Sequence, residues 1–477
     1  MCKKLICGCL GMACLVVSVT ACKTPALVGR TEKRTLPARY ETVHDSANTG
    51  QLPWRQFLAD PHLTALIDTA LVNNQELNIT LQEIQVAQNE IRSRAGEYRP
   101  FVTLQAGAGL DKVGRYTRSG AIEESTEIAP GKRFPNPLPD LLLAANASWQ
   151  VDIWNKLHNA RRAAVSRYLA SVEGKNFTVT NLVAEIANSY YELLALDNRL
   201  DIVRKNIGIQ SNALAIVRLQ KESARVTELA VRRFEAQVLH TQSLQYEIQQ
   251  KIIETENRLN FLVGRYPQPI QRSSQDFDAL VPQPVPVGFP AQLVQNRPDI
   301  KRAERELEAA KLDVQVARAN FLPSLELRAA VGFNAFDPVR LFSAPQSLMY
   351  SLLGGLSRPF INRNAITALY YSANARQIRA VYNYERTVLN AYLEVVNQVA
   401  NMDNLQKSYD LKARQVEALT QSVTISNTLF RSARADYMEV LLAQRDALES
   451  RFDLVETKMQ QLQSVVNTYR ALGGGWK

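Results

Sequence analysis

The sequence predicts an α+β membrane protein in which short β-strands, pooled from several copies of the chain into one transmembrane barrel, join long coiled-coil helices. Three observations carry this. Segments of apolar/polar alternation run for about ten residues, the length of a tilted membrane strand. Helical stretches are far longer and repeat their apolar residues at close to seven. The chain also states the same plan twice.

The N-terminus, "MCKKLICGCLGMACLVVSVTACKTP", reads as a removable signal over 1–21, with basic Lys3 and Lys4, an apolar stretch from Leu5 to Val19, and small residues before Cys22. A small residue before a cysteine resembles a bacterial lipobox, which makes Cys22 the lipidated residue; a plain signal cleaved near Ala21 is the alternative. All five cysteines, Cys2, Cys7, Cys9, Cys14 and Cys22, lie here, so an exported mature chain keeps one thiol and no disulfide. Lys23 stands where an Asp would signal inner-membrane retention, which favours the outer membrane. Residues 22–60 form an extended, lipid-anchored segment.

Composition excludes several classes. The chain has 477 residues, 46% of them hydrophobic, and a net charge of +10 that falls to +8 when Lys3 and Lys4 leave. Basic and acidic residues interleave along helices ("KRAERELEAAK", "VRRFEAQ"), a pattern of solvated faces and not of a nucleic-acid patch. No later stretch has the length of a transmembrane helix, so membrane crossing requires a β-barrel.

The repeat sets the domains. "VAQNEIRSRAGEYRPFVTLQAGAGL" and "AAKLDVQVARANFLPSLELRAAVGF" both pass from helix through Pro100 or Pro323 into alternation, and "ESARVTELAV" and "RSARADYMEV" both interrupt helical sequence. Repeats at 61–264 and 297–472 flank a proline-rich linker, 265–296, and a tail at 473–477 follows.

Each hairpin, about 101–153 and 324–360, carries two-faced strands. Val102, Leu104, Ala106, Ala108 and Leu110 alternate with Thr103 and Gln105; Ala145, Ala147, Trp149, Val151 and Ile153 with Asn146, Ser148, Gln150 and Asp152; Leu325, Leu327, Ala329, Val331 and Phe333 with Ser324, Glu326 and Arg328. The fourth strand, "YSLLGGLSRPF", alternates less cleanly because Arg358 has the apolar parity. A soluble β-sandwich shows similar alternation. Four strands cannot close a barrel, however, and alone they leave open edges. Pooled, they place the polar face on a wet lumen and the apolar face on lipid.

In the helices, Ile186, Leu193, Leu200, Ile207 and Leu214 repeat at seven, with Leu196, Val203 and Val217 between them, and Val231, Val238, Ile252 and Leu259 answer on the returning segment. This is a left-handed coiled-coil seam. A helix over 156–222 spans on the order of 100 Å at about 1.5 Å per residue. It matches only the shorter helices 62–99 and 227–264 laid end to end. The second half repeats this with 363–432 against 299–320 plus 436–472.

The segments "PWRQFLADPHLTALIDTALVNNQELNI", "ASWQVDIWNKL", "ENRLNFLVGRYP", "FPAQLVQNRPDIKRAERELEAA", "ARANFLPSLEL", "SARADYMEVLLAQRDALE" and "YRALGGGW" together resemble the outer membrane factor, TolC-like family of efflux channels, in its lipoprotein branch, over nearly the whole mature chain. The resemblance implies a homotrimer with a twelve-stranded outer-membrane barrel and a twelve-helix periplasmic tunnel, working with a periplasmic adaptor and an inner-membrane pump of the resistance-nodulation-division type. It makes Pro100, Pro323 and Pro359 helix–strand junctions. It makes Ser223, Ala224, Arg225 and Thr227, with Ser432, Ala433, Arg434 and Asp436, the turn tips that narrow the periplasmic mouth and dock the adaptor. Alanine stands at 224 and 433 where the family usually has glycine. Asp436 is either a gating carboxylate or a helix N-cap, and Arg434 a latch or docking residue. The four histidines, His44, His62, His158 and His240, lack metal spacing, and no nucleophile elbow or phosphate loop occurs, so the expectation is a channel without enzyme activity, cofactor, metal or nucleic-acid partner. A conduit for type I protein secretion and a non-conducting structural lipoprotein of the envelope are the alternative readings.

Overall fold

Caps and prolines divide the chain into its elements. In a computed structural model, which describes residues 24–40, 47–273, 277, 279–282, 285–359, 361, 363–432 and 434–477, the Asp60 carboxylate accepts from the amides of His62 (2.8 Å) and Leu63 (3.2 Å) and starts α1, Pro61–Asn73. Cys22 and Ala433 lie outside the described residues. Helix α2, Gln75–Glu97, is separate from α1, a correction to the single helix expected over 62–99. The break is at Asn74, which adopts extended backbone, accepts from the Leu77 amide (2.9 Å) and donates to the Leu262 carbonyl (2.9 Å).

After Pro100 come β1, Phe101–Asp111, an excursion holding α3, Arg118–Ser125, with the small hairpin β2, Glu127–Ala129, and β3, Lys132–Arg133, and then β4, Leu138–Val151. Helix α4 covers Lys156–Glu222, and α5, Glu228–Val263, returns from it. The second repeat gives α6, Ala291–Asn296, α7, Pro298–Ala319, β5, Ser324–Ala335, β6, Leu348–Ser357, α8, Asn364–Arg431, and α9, Tyr437–Ala471.

The chain divides into two compact units. One comprises Val86–Tyr168 and Arg305–Val381 with the described part of Met1–Thr31. It holds a four-stranded antiparallel sheet of order β1-β4-β5-β6, so β1 and β6 are its free edges. Residues opposite one another share a face: Thr103 with Asn146 and Ala330, Ser148 with Arg328, Gln150 with Glu326.

The other unit comprises Glu32–Gln85, Leu169–Glu304 and Tyr382–Lys477. Its core packs Leu63 and Ile67 of α1 against Ile186, Tyr190 and Leu193 of α4, Leu259 of α5, and Leu462 and Tyr469 of α9, so the seven-residue stripe is the buried seam. Short helices meet end to end here, once in each repeat. The end of α5 reaches Asn73 through Gly264, whose φ of 76° suits glycine and whose added Cβ would lie 2.4 Å from the Asn73 carbonyl oxygen. The end of α9 reaches Asn296 through Gly473, with φ of 87°. Beside that second joint the buried Arg297 guanidinium donates to Asp299 (3.0 and 2.8 Å), Glu394 (2.8 Å) and the Ala471 carbonyl (2.6 Å). Four fixed acceptor contacts of this kind are what a buried arginine needs, and Asp299 and Glu394 keep it charged despite burial.

Candidate functional site

The sheet register sorts every strand residue onto one of two faces. The polar face carries Thr103, Gln105, Asn146, Ser148, Gln150, Ser324, Glu326 and Arg328, as expected from parity, and adds Asp140 and Asn334, which parity within "LPDLLLAAN" hides behind a leucine run. Its side chains bond along the face: Asn146 to Gln105 (3.2 Å), Asn334 to Asp140 (2.7 Å), and Arg328 to Glu326 (3.1 Å twice). The opposite face is Val102, Leu104, Leu110, Leu143, Trp149, Leu327, Val331, Tyr350, Leu352 and Leu356, with Leu104 85% and Tyr350 81% exposed in the single chain. On β6 the strand ends at Ser357, so Arg358 lies beyond it and the apolar parity is kept; the departures are Met349 and Leu353 on the polar face.

Asp152 is corrected. It stands one residue past β4, and its carboxylate accepts from the Leu157 amide (3.1 Å), the His158 amide (2.8 Å) and faces His158 Nδ1 (2.6 Å), which makes it the cap of α4 and not a lumen residue. Burial pushes this carboxyl up, but the His158 and Leu157 donors outweigh it and hold it below its ordinary value. Indole donors fix the same end of the sheet: Trp149 Nε1 to the Tyr98 carbonyl (2.9 Å) and Trp154 Nε1 to the Pro323 carbonyl (2.7 Å). Pro100 and Pro323 each directly precede a strand, and Pro359 follows β6 by two residues.

In the same unit Leu27 packs against the cluster of Ala317, Phe321, Tyr370 and Ala373, and the Val28 carbonyl accepts from Asn374 (3.1 Å). This fixes the N-terminal segment beside the β5 junction.

The turn tips close alike. The Arg225 amide reaches the Gln220 carbonyl and the Arg434 amide the Leu429 carbonyl, each at 2.9 Å, the six-to-one bond of a Schellman ending. Ala224 takes φ of 56°, the left-handed conformation that glycine adopts without strain. Thr227 and Asp436 occupy the N-cap positions of α5 and α9, and neither side chain bonds a helix amide. Ser223 and Ser432 hydroxyls bond back to the Leu219 and Thr428 carbonyls (3.1 and 3.0 Å). Arg225, Arg434 and Asp436 are exposed. Nearby, Lys221 and Arg232 pair with Glu228, and the Lys221 hydrogen bond holds that carboxyl below its ordinary value.

Two further surfaces escaped the sequence reading. Leu239, Tyr246 and Ile253 on α5, and Tyr382, Leu389 and Val396 on α8, are exposed at spacings of seven. They are second seams facing away from the chain's own core, legible only once the buried stripe on the same helices is known. Among the described residues no helix is long and apolar enough to cross a membrane, and no group of three or more metal-binding side chains occurs.

An open four-stranded sheet with one wet and one dry face, carried on duplicated helical hairpins, defines a subunit of an outer-membrane channel that completes its barrel with other subunits. The outer membrane efflux protein family matches residues 66–265 and 289–474, and the chain belongs to that family. Among its relatives, the cation efflux system protein CusC of Escherichia coli O6:H1 is 28% identical over 435 residues, 91% of each chain. The pyoverdine export outer membrane protein OpmQ of Pseudomonas aeruginosa is 27% identical over 424 residues, 89% of this chain and 87% of its own. A crystal structure of CusC superposes with a TM-score of 0.83 over 94% of this chain and 99% of that one at 24% identity. The open-state MtrE channel of Neisseria gonorrhoeae gives 0.82 over 95% and 99% at 20% identity.

Proposed function

We propose that three copies of this chain form the outer-membrane exit duct of a tripartite efflux system, passing small molecules delivered by an inner-membrane pump of the resistance-nodulation-division type through a periplasmic adaptor. The observation that carries this is the sheet with opposed polar and apolar faces and two unpaired edges. Three such sheets give the twelve strands of a closed barrel with the apolar side chains on lipid. The exposed seven-residue seams on α5 and α8 supply the matching contacts between copies in the periplasm. No cofactor is needed, because the duct is passive and energy enters at the pump.

Within the duct, Thr103, Gln105, Asp140, Asn146, Ser148, Gln150, Ser324, Glu326, Arg328 and Asn334 line the barrel lumen. Arg225 and Arg434 at the tips dock the adaptor. Three copies of Asp436, its carboxylate unused as a cap, form the periplasmic gate. The small residue before Cys22 supports lipidation there, five residues ahead of Leu27, which packs against the cluster of Phe321 and Tyr370.

Purified protein in planar bilayers tests the reading. It is expected to conduct as a trimer, with Asp436→Lys lowering cation preference. A folded trimer that stays silent assigns the chain to a structural envelope role instead.

A further inference from the structure

Near the turn tips the buried seam of the helical hairpins changes character between two apolar clusters. Towards the turn tips, Leu214 and Val217 of α4, Phe234 and Val238 of α5, and Val440 of α9 form one apolar cluster. Further from the tips, Leu196, Leu200 and Val203 of α4 with Ile248 of α5 form another. Between them the buried positions turn polar on three helices at the same level. On α4 they run Val203, Asn206, Gln210, Leu214; on α5, Val238, Thr241, Ile248; on α9, Gln444 follows Val440 by one turn.

Asn206 and Thr241 satisfy themselves on their own helices, at the Ile202 and Gln237 carbonyls (2.9 and 3.0 Å). The two glutamines do not. Gln210 is 1% exposed and Gln444 4%, and neither amide atom of either has a hydrogen-bond partner in the chain. A coiled-coil seam gains nothing in packing from such a layer, since buried amides without partners weaken the closed arrangement.

We propose that this polar layer is the hinge at which the tip of the hairpins swings to open the periplasmic mouth. The purpose rests on the duct reading; the mechanics do not. Where the seam is apolar, parting the helices exposes hydrocarbon to water and is opposed. At Gln210 and Gln444 parting admits water to amides that lack partners, so the loss of packing is offset at the layer between the two apolar clusters. The apolar clusters on either side then move as two packed bodies.

The test uses the full-length protein reconstituted in lipid, with hydrogen exchange and single-channel recording on the unaltered chain and on Gln210→Met/Gln444→Met, a nearly isosteric apolar pair. In the unaltered protein, amides at Val217 and Phe234 are expected to exchange at least tenfold faster than those at Val203 and Ile248, with the step at Gln210. In the double variant the step should shrink and the channel should spend less time in its most conducting level. Protection that declines evenly from Leu196 to the tip overturns the hinge, as does a variant that leaves step and currents unchanged. If the methionine pair does not fold, Gln444→Met alone is read in the same way. A silent unaltered protein that still shows the exchange step refutes the duct reading and leaves the hinge standing.

Discussion

Leucine 104 and threonine 103 are neighbours on β1 with opposite surroundings, so one arginine placed at either position separates the membrane reading from its alternatives. Leu104 pairs with Ala145 on the apolar face, and Thr103 pairs with Asn146 on the polar one. An arginine on the lipid face near mid-bilayer costs about 2–4 kcal/mol. Three copies make that about 6–12 kcal/mol per assembled barrel, comparable with the roughly 5–15 kcal/mol that holds a typical folded protein together. Leu104→Arg should therefore lose the detergent-resistant trimer from the outer-membrane fraction. Thr103→Arg should keep the trimer and shift bilayer currents towards anions, because its guanidinium enters water in the lumen. Assembly is read on unheated gels and by membrane fractionation, selectivity by reversal potential in a salt gradient. Normal assembly of Leu104→Arg, or failure of Thr103→Arg alone, would refute the assignment of faces.

Three further changes probe the parts that hold the sheet and the tips in place. Ala224→Gly removes a left-handed alanine, which should stabilise the tip by about 1 kcal/mol, seen as slower amide exchange at Arg225 and unchanged exchange elsewhere. Asp152→Asn weakens the cap of α4 and should cost about 1 kcal/mol at neutral pH. Because the folded carboxyl lies below its unfolded value of about 4, the wild-type advantage is complete above that value and disappears as the pH falls through the lower folded one. Melting temperatures of the two proteins should thus converge in acid, and a gap that persists there would assign the loss to geometry instead of charge. Arg297→Met strands Asp299 and leaves Glu394 with Arg470 alone at the α9 joint, and should cost about 3–5 kcal/mol in denaturant melts, whereas a loss below about 1 kcal/mol would mean the network is solvated.

The strands and the long helices were legible because each is a periodic pattern extended over many residues, and periodicity survives without tertiary knowledge. What escaped depended on partners distant in sequence. Asn74 breaks a helical pattern because Leu262, 188 residues away, offers it a carbonyl. Asp140 and Asn334 joined the polar face only through their pairing across β4 and β5. Asp152 was misplaced for a different reason: alternation continued on paper for one residue beyond the end of β4, where the chain had already turned and a helix N-terminus competed for the carboxylate. Arg358 is the mirror case: it lies past the end of β6, so its parity says nothing of that strand's faces.

The even number of strands in each chain is itself a mechanical requirement. In the order β1-β4-β5-β6 every neighbour is antiparallel, so β1 and β6 run in opposite directions. The β6 edge of one copy can therefore meet the β1 edge of the next as another antiparallel pair, and the ring closes without a parallel seam. With three or five strands the edges would run alike, and every junction between copies would be parallel. The same parity places the start of β1 and the end of β6 on one side of the sheet, where Pro100 and Pro359 hand the chain to helices. An even count thus lets identical chains share one barrel while α2, α4, α7 and α8, the helices that join the strands at their junctions, all leave from the same rim, which is the geometry a duct needs if it is to meet an adaptor on one side of a membrane only.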